Sequence, residues 1–156
     1  MERSERAVEL FGKGYNCSQA VLGACGPELG LPLESCLALA SAFGGGMCRQ
    51  AQTCGAVTGA LLALGLARGQ VTVDEPKRKG EVYETGQSLM AAFRERHGST
   101  VCRELLGCDI STKEGMTRAH ELGVLTTVCP ELVRTAASLV PPASPSGQER
   151  LVEGRS

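Results

Sequence analysis

Four of the eight cysteines in this chain of 156 residues follow local signals for the start of a helix. The four are Cys17, Cys54, Cys102 and Cys129. Asn16, Thr53 and Thr100 stand shortly before the first three, and Pro130 follows the fourth. Asn and Thr cap helices, and Pro prefers the first helical position. A thiol in the first turn lies near unpaired N–H groups and the positive end of the helix dipole, which favours the thiolate. We therefore expect these sulfurs to react or to bind a metal.

The apolar residues predict a helical fold. They make up 42% of the chain, but only 3% of the residues are aromatic, so most apolar side chains are those of Ala, Leu and Val among 20 glycines. Helices rich in Ala and Gly pack closely, whereas β-sandwiches use more β-branched and aromatic residues. We predict an all-α fold, with a single compact domain of about seven or eight helices over residues 1–140. The segment 141–156 has no periodic apolar face and is expected to be a flexible tail.

Apolar periodicity and Gly or Pro stop signals divide the chain into predicted helices. They cover residues 3–12, 16–25, 33–43, 53–68, 74–97, 100–106, 112–122 and 128–140. In the fourth helix, Gly55, Gly59 and Ala63 recur every four residues, which lets either a second helix or a bulky inorganic group come close. Gly45 and Gly46 lie in a Gly-rich turn and permit positive φ. We expect the four glycines to let the backbone approach a bound group.

The charge and the apolar stretches exclude some partners. The net charge is −1 and the pI is about 6.1, so neither nucleic acid nor an anionic membrane is predicted as a partner. The longest apolar stretch, Ala56 to Ala67, is shorter than the roughly 20 residues that span a bilayer. The charged N-terminal sequence lacks the features of a signal peptide. We expect a cytoplasmic protein, whose reduced thiols favour metal binding or redox cycling over structural disulfides.

The other cysteines carry weaker signals. Cys48 lies six residues before Cys54, as Cys102 does before Cys108, and neither spacing is the C-x-x-C of a thioredoxin-like site or a zinc ribbon. Two cysteines lie inside predicted helices among apolar neighbours and are expected to be core residues. These two are Cys25 and Cys36. The sequence leaves the role of Cys108 open.

Hydrolytic chemistry has no positive support in the sequence. His97 and His120 lie near predicted helix C-termini, where a cationic side chain interacts well with exposed carbonyl groups. We expect both to be structural. The chain has no convincing Ser/His/Asp arrangement and no Gly-Lys-Ser/Thr loop for phosphate.

Three sequence segments and one isolated cysteine carry a family resemblance. They are GYNCSQAV from Gly14, GGGMCRQAQTCGAVTGALLALGL from Gly44, GSTVCRELLGCDI from Gly98, and Cys129. Together they resemble the C_GCAxxG_C_C family, whose cysteines are regarded as redox-active. The resemblance runs from the first helix to Val140, although the order Cys54-Gly55-Ala56 differs from the literal family name. The family is related to the non-haem part of split-Soret cytochromes, for which an iron–sulfur centre is suggested.

The resemblance places the family's cysteines at Cys17, Cys54, Cys102 and Cys129, with Cys48 as a common neighbour. In one mechanism these cysteines bind an iron–sulfur cluster or another metal and transfer electrons to a redox partner that the sequence does not identify. In a second, an oxidoreductase cycles two cysteines, with Cys54 and Cys102 as candidates, between dithiol and disulfide. A third alternative is a helical interaction module, a homo-oligomer with structural cysteines. The chain has no C-x-x-C-H motif, so haem is not implied.

Overall fold

The computed structural model describes residues 1–145 and 147–149, and within them the fold is all-α, as predicted. The α-helices are α1 (Arg3–Gly12), α2 (Cys17–Cys25), α3 (Leu33–Ala40), α4 (Gly55–Arg68), α5 (Pro76–His97), α6 (Cys102–Leu106), α7 (Lys113–Leu122), α8 (Val124–Thr127) and α9 (Cys129–Leu139). Two 3₁₀ turns, Gly26–Leu29 and Ser41–Phe43, follow α2 and α3. In this part of the chain no strand forms, and an isolated antiparallel bridge joins Thr53 to Val101.

The predicted helices all appear, with small shifts at their ends. The third α-helix stops at Ala40, and the fourth begins after Cys54 rather than at Thr53. The short helix α8 has no predicted counterpart. Gly123 is a stop signal and ends α7 in a left-handed conformation, as such a glycine does, but a new helical turn begins at the next residue. None of the helices in the described ranges combines the length and apolar character needed to cross a bilayer.

Helix α2 lies at the centre of the fold. Seven of its nine residues are buried, and it packs against α1, α3, α4 and α9. Helices α2 and α4 begin side by side, since a Cβ added to Gly55 would lie 3.2 Å from the Cβ of Cys17. One turn later the contact is closer still, because a Cβ on Gly59 would lie 2.8 Å from the carbonyl oxygen of Ser18. At Gly59 the small-residue stripe therefore serves helix–helix packing.

Alanine at Gly59 is expected to destabilise the protein by about 2–3 kcal/mol, because the new Cβ pushes α2 away from α4. Gly65 is the matched control: it is exposed in the same helix, and a Cβ there meets nothing within 4 Å. Gly65→Ala is expected to stabilise the protein by about 0.5–1 kcal/mol, because alanine loses less backbone entropy in a helix. Urea denaturation of both variants measures the two effects. Effects of the same sign and size would contradict the close approach at Gly59.

The residues after α9 run back along α4. The N–H of Ser144 donates to the carbonyl of Ala67 at 3.1 Å, and Nε of Arg68 donates to the carbonyl of Pro142 at 3.1 Å. The first part of the predicted flexible tail is therefore held against α4. Residues 146 and 150–156 of that tail lie outside the described residues.

Candidate functional site

The four cysteines singled out by their helix-start signals all stand at helix starts. Cys17 is the first residue of α2, Cys102 of α6 and Cys129 of α9. Cys54 directly precedes α4. Reciprocal capping fixes the start of α2: the side-chain oxygen of Asn16 accepts the N–H of Gln19, and the side chain of Gln19 accepts the N–H of Asn16.

These cysteines line one cavity of about 360 Å³. Helix α9 packs against both α2 and α4, and backbone hydrogen bonds join α6 to the start of α4. The N–H of Cys102 donates to the carbonyl of Gln52 at 2.6 Å, and the N–H of Cys54 donates to the carbonyl of Thr100 at 2.8 Å. The rest of the cavity wall is largely apolar. Its apolar side chains are those of Phe11, Leu106, Ile110, Met116, Leu125 and Leu132.

Burial keeps two of these thiols protonated. The pKa of Cys54 is raised to about 11 and that of Cys102 to about 12, chiefly by burial and to a smaller extent by charge on neighbouring cysteines. The N–H groups of Ala56 and Val57 favour the Cys54 thiolate, as expected at a helix start, but burial outweighs them. The net shift at Cys54 and Cys102 is therefore toward the thiol, opposite to what helix position alone predicts.

The other two cysteines of the cavity form a hydrogen-bonded pair. A hydrogen bond from the thiol of Cys17 lowers the pKa of Cys129, although burial opposes the shift. The same hydrogen bond raises the pKa of Cys17, which burial and charge on the three other cysteines raise further. The two thiols therefore ionise as a pair, in which a thiolate on one is stabilised while the other stays protonated. The Cys17 thiol, and not the helix start, lowers the pKa of Cys129, while the pKa of Cys17 is raised.

The loop between α3 and α4 has an uncommon backbone conformation. Residues 45–49, named here the left-handed loop, have φ values between 49° and 71°, and Ala51 follows with φ 55°. Positive φ was predicted only for the two glycines that begin the loop. A left-handed residue that carries a Cβ costs about 1–2 kcal/mol, so surrounding contacts must hold this conformation.

Helix α6 helps to hold the left-handed loop in place. Nε of Arg103, in α6, donates to the carbonyl of Ala51 at 3.0 Å. The N–H of Gln52 donates to the carbonyl of Gly46 at 2.9 Å, which closes the loop on itself. The loop forms one wall of the cavity through its two glycines and Arg49.

Three of the four predicted glycines line the cavity. They are Gly45, Gly46 and Gly55. Gly59 faces Ser18 of α2 instead. Cys48, the fifth predicted ligand, is exposed, and its thiol donates to the carbonyl of Ala42 at 3.3 Å. The structure therefore separates Cys48 from the other four predicted ligands.

The remaining cysteines do not line the cavity. Cys25 and Cys36 are fully buried in the main core, as predicted. Cys108 is 6% exposed and belongs to a small apolar cluster that also contains Cys102 and Cys129. That cluster explains why Cys108 is buried without being part of the cavity wall.

Three exposed residues of the cavity wall are absent from the site residues that the sequence predicts. They are Tyr15, Arg49 and His120. His120 lies in the last turn of α7, as predicted, but it also faces the cavity. Arg49 reaches the cavity from a left-handed backbone that no local sequence signal indicates. His97 has a different environment, with Nε2 at 2.9 Å from the hydroxyl of Thr135.

The comparison with family models covers most of the chain. The model described as "Putative redox-active protein (C_GCAxxG_C_C)" matches residues 15–141. The matched region contains all four cysteines of the cavity and the left-handed loop. No curated protein and no solved structure matches the chain.

Proposed function

The chain belongs to the C_GCAxxG_C_C family, and we propose that it transfers electrons through an iron–sulfur cluster bound by the four cysteines of the cavity. The observation that carries the proposal is that Cys17, Cys54, Cys102 and Cys129 line the same cavity although they are far apart in sequence. Four thiolates are the usual ligand set of two-iron and four-iron clusters. A bound cluster would supply a one-electron carrier in a largely apolar environment.

The size of the cavity leaves room for a group larger than a single metal ion. A tetrahedral zinc site has zinc–sulfur distances of about 2.3 Å, which bring its ligand atoms into close contact. Across residues 1–145 and 147–149, no three Cys, His, Asp or Glu side chains are already grouped to hold a metal ion. Binding a cluster therefore requires the four thiols to close in on it from the cavity wall, where Gly45, Gly46 and Gly55 leave space.

The pKa values of the thiols also favour a metal over a free nucleophile. At neutral pH the raised pKa values of Cys54 and Cys102 keep both thiols protonated and poorly nucleophilic. A metal cation deprotonates the thiols that coordinate it and removes the repulsion between neighbouring thiolates. The helix-start N–H groups near Cys54 would then hydrogen-bond to a coordinated thiolate and help to set the reduction potential.

Thiol–disulfide exchange is the second candidate function, and the hydrogen bond between Cys17 and Cys129 favours it. The lowered pKa of Cys129 favours its sulfur as the attacking thiolate. Joining the Cys129 thiolate to the sulfur of Cys17 would release the Cys17 proton and pass two electrons to an external disulfide, which is reduced to two thiols, or to another two-electron acceptor. The sequence alone suggested Cys54 and Cys102 for this chemistry, but both have raised pKa values. Either function needs reduced thiols, so we propose a cytoplasmic location.

Anaerobic purification, with iron and sulfide analysis and a visible spectrum, tests the proposal. We expect iron and inorganic sulfide in stoichiometric ratio to the chain and an absorbance band that dithionite bleaches. Zinc without sulfide would contradict the cluster. A colourless protein, even after reconstitution, that forms a specific Cys17–Cys129 disulfide on mild oxidation would favour the second candidate. A colourless protein that forms no disulfide would favour the helical interaction module.

A further inference from the structure

The cavity lined by the four cysteines also has three exposed polar residues in its wall, Tyr15, Arg49 and His120, named here the rim. Cys54, Cys102 and Cys129 are at most 7% exposed, so the sulfurs lie deep in the cavity. Tyr15, Arg49 and His120 also line it but are exposed, so they stand where it opens to solvent. A molecule entering the cavity passes these three side chains before it reaches the sulfurs.

The rim carries positive charge without a matching negative charge. None of the side chains that line the cavity is a carboxylate. Among the described residues, Arg49 forms no ion pair and no side-chain hydrogen bond. The hydroxyl of Tyr15 and the ring of His120 add hydrogen-bonding groups to the wall of the same cavity. The combination suits an anionic group, because Arg binds carboxylates and similar anions through paired N–H donors.

The backbone of Arg49 is a second, independent indication. Arg49 has φ 57° in the left-handed loop, a strained conformation for a residue with a Cβ. The N–H of Arg49 donates to the carbonyl of Gly44 at 3.1 Å, and α6 holds the residues that follow the loop through a hydrogen bond to Ala51. Strained backbone of this kind is concentrated at functional sites, where it places a side chain that relaxed backbone would aim elsewhere. Here the placed side chain is the unpaired guanidinium at the mouth of the cavity.

We propose that the cavity binds a small organic anion, with its carboxylate at Arg49, His120 and Tyr15 and its apolar part toward the sulfurs. The apolar part would contact Leu106, Ile110 and Leu132, which are buried or largely buried and line the cavity. The cavity of about 360 Å³ is the one lined by the four cysteines, so the anion would occupy its outer part, between the exposed residues and the sulfurs. Binding of the anion to the cavity does not depend on the proposed function. Its use as a substrate or effector of the redox centre does.

Tyrosine fluorescence tests the proposal directly, because Tyr15 and Tyr83 are the two tyrosines of the chain and it has no Trp. In a Tyr83→Phe background, Tyr15 reports on the rim. The anaerobically purified protein is titrated with hexanoate and, separately, with the neutral hexanamide at constant ionic strength. We expect a saturable change with hexanoate and affinity about ten-fold or more weaker for hexanamide. Calorimetry on the original sequence measures the same affinities without relying on fluorescence.

Arg49→Gln is expected to weaken hexanoate binding by about ten-fold or more. Arg118→Gln is the matched control, since Arg118 is exposed on α7 and does not line the cavity; it is expected to leave the affinity unchanged. Equal affinity for hexanoate and hexanamide, equal effects of the two variants, or no binding by either method would overturn the proposal. Iron is measured on each sample, so anion binding to a protein that stays iron-free even after reconstitution supports this inference and contradicts the cluster.

Discussion

Replacing Cys102 by serine is expected to abolish cluster binding, whereas replacing Cys108 by serine leaves it intact. The two residues are a close match: they are 7% and 6% exposed, belong to the same small apolar cluster and lie at opposite ends of the same short helix and turn. They differ in that Cys102 lines the cavity and Cys108 does not. Losing a residue that only hydrogen-bonds to a metal ligand weakens metal binding by about ten-fold or more. Losing a ligand itself is expected to lower the iron content by at least as much.

The matched pair separates coordination from stability. Each serine places a hydroxyl in an apolar environment and is expected to cost about 1–3 kcal/mol. Urea denaturation of the two apoproteins measures that cost, and iron, sulfide and visible absorbance of anaerobic samples measure the cluster. Similar losses of iron in both variants, in proportion to their loss of stability, would show that Cys102 acts as a core residue.

The positions of the four cysteines along their helices were predictable, because helix starts depend on local chemistry. Asn16 and Gln19 form the expected capping pair, and Pro130 occupies the first turn of α9. The ionisation of the thiols was not predictable in the same way. The helix-start N–H groups act on Cys54 as expected, but burial, which depends on the packed fold, has the larger effect on its pKa.

The rim of the cavity lay beyond sequence reasoning for a different reason. Glycines indicated positive φ at Gly45 and Gly46, but the conformation continues through Met47 to Arg49, whose own preferences oppose it. Contacts from α6, which is more than 50 residues later in the chain, hold the loop. Residues placed by such long-range contacts give no local signal. The residues next to Arg49 in the sequence therefore do not predict that it lines the cavity.

Alanine at Gly46 is expected to destabilise the protein by roughly 3–5 kcal/mol and to lower its cluster content. Gly46 has φ 71°, and an added Cβ would lie 2.5 Å from the amide nitrogen of Gln52 and 2.8 Å from Ala51. Because the collision is with backbone, the loop itself must move. The carbonyl of Gln52 accepts the N–H of Cys102, so a shift of Gln52 is transmitted to one of the four proposed ligands.

Gly107→Ala is the matched control for Gly46→Ala. Gly107 also has positive φ, 67°, but a Cβ there meets nothing within 4 Å. It should therefore show only the conformational cost of about 1–2 kcal/mol and retain the cluster. Urea denaturation and iron content distinguish the two variants. If the two alanine variants lose the same stability and both keep their iron, the conclusion is that the left-handed loop does not position Cys102.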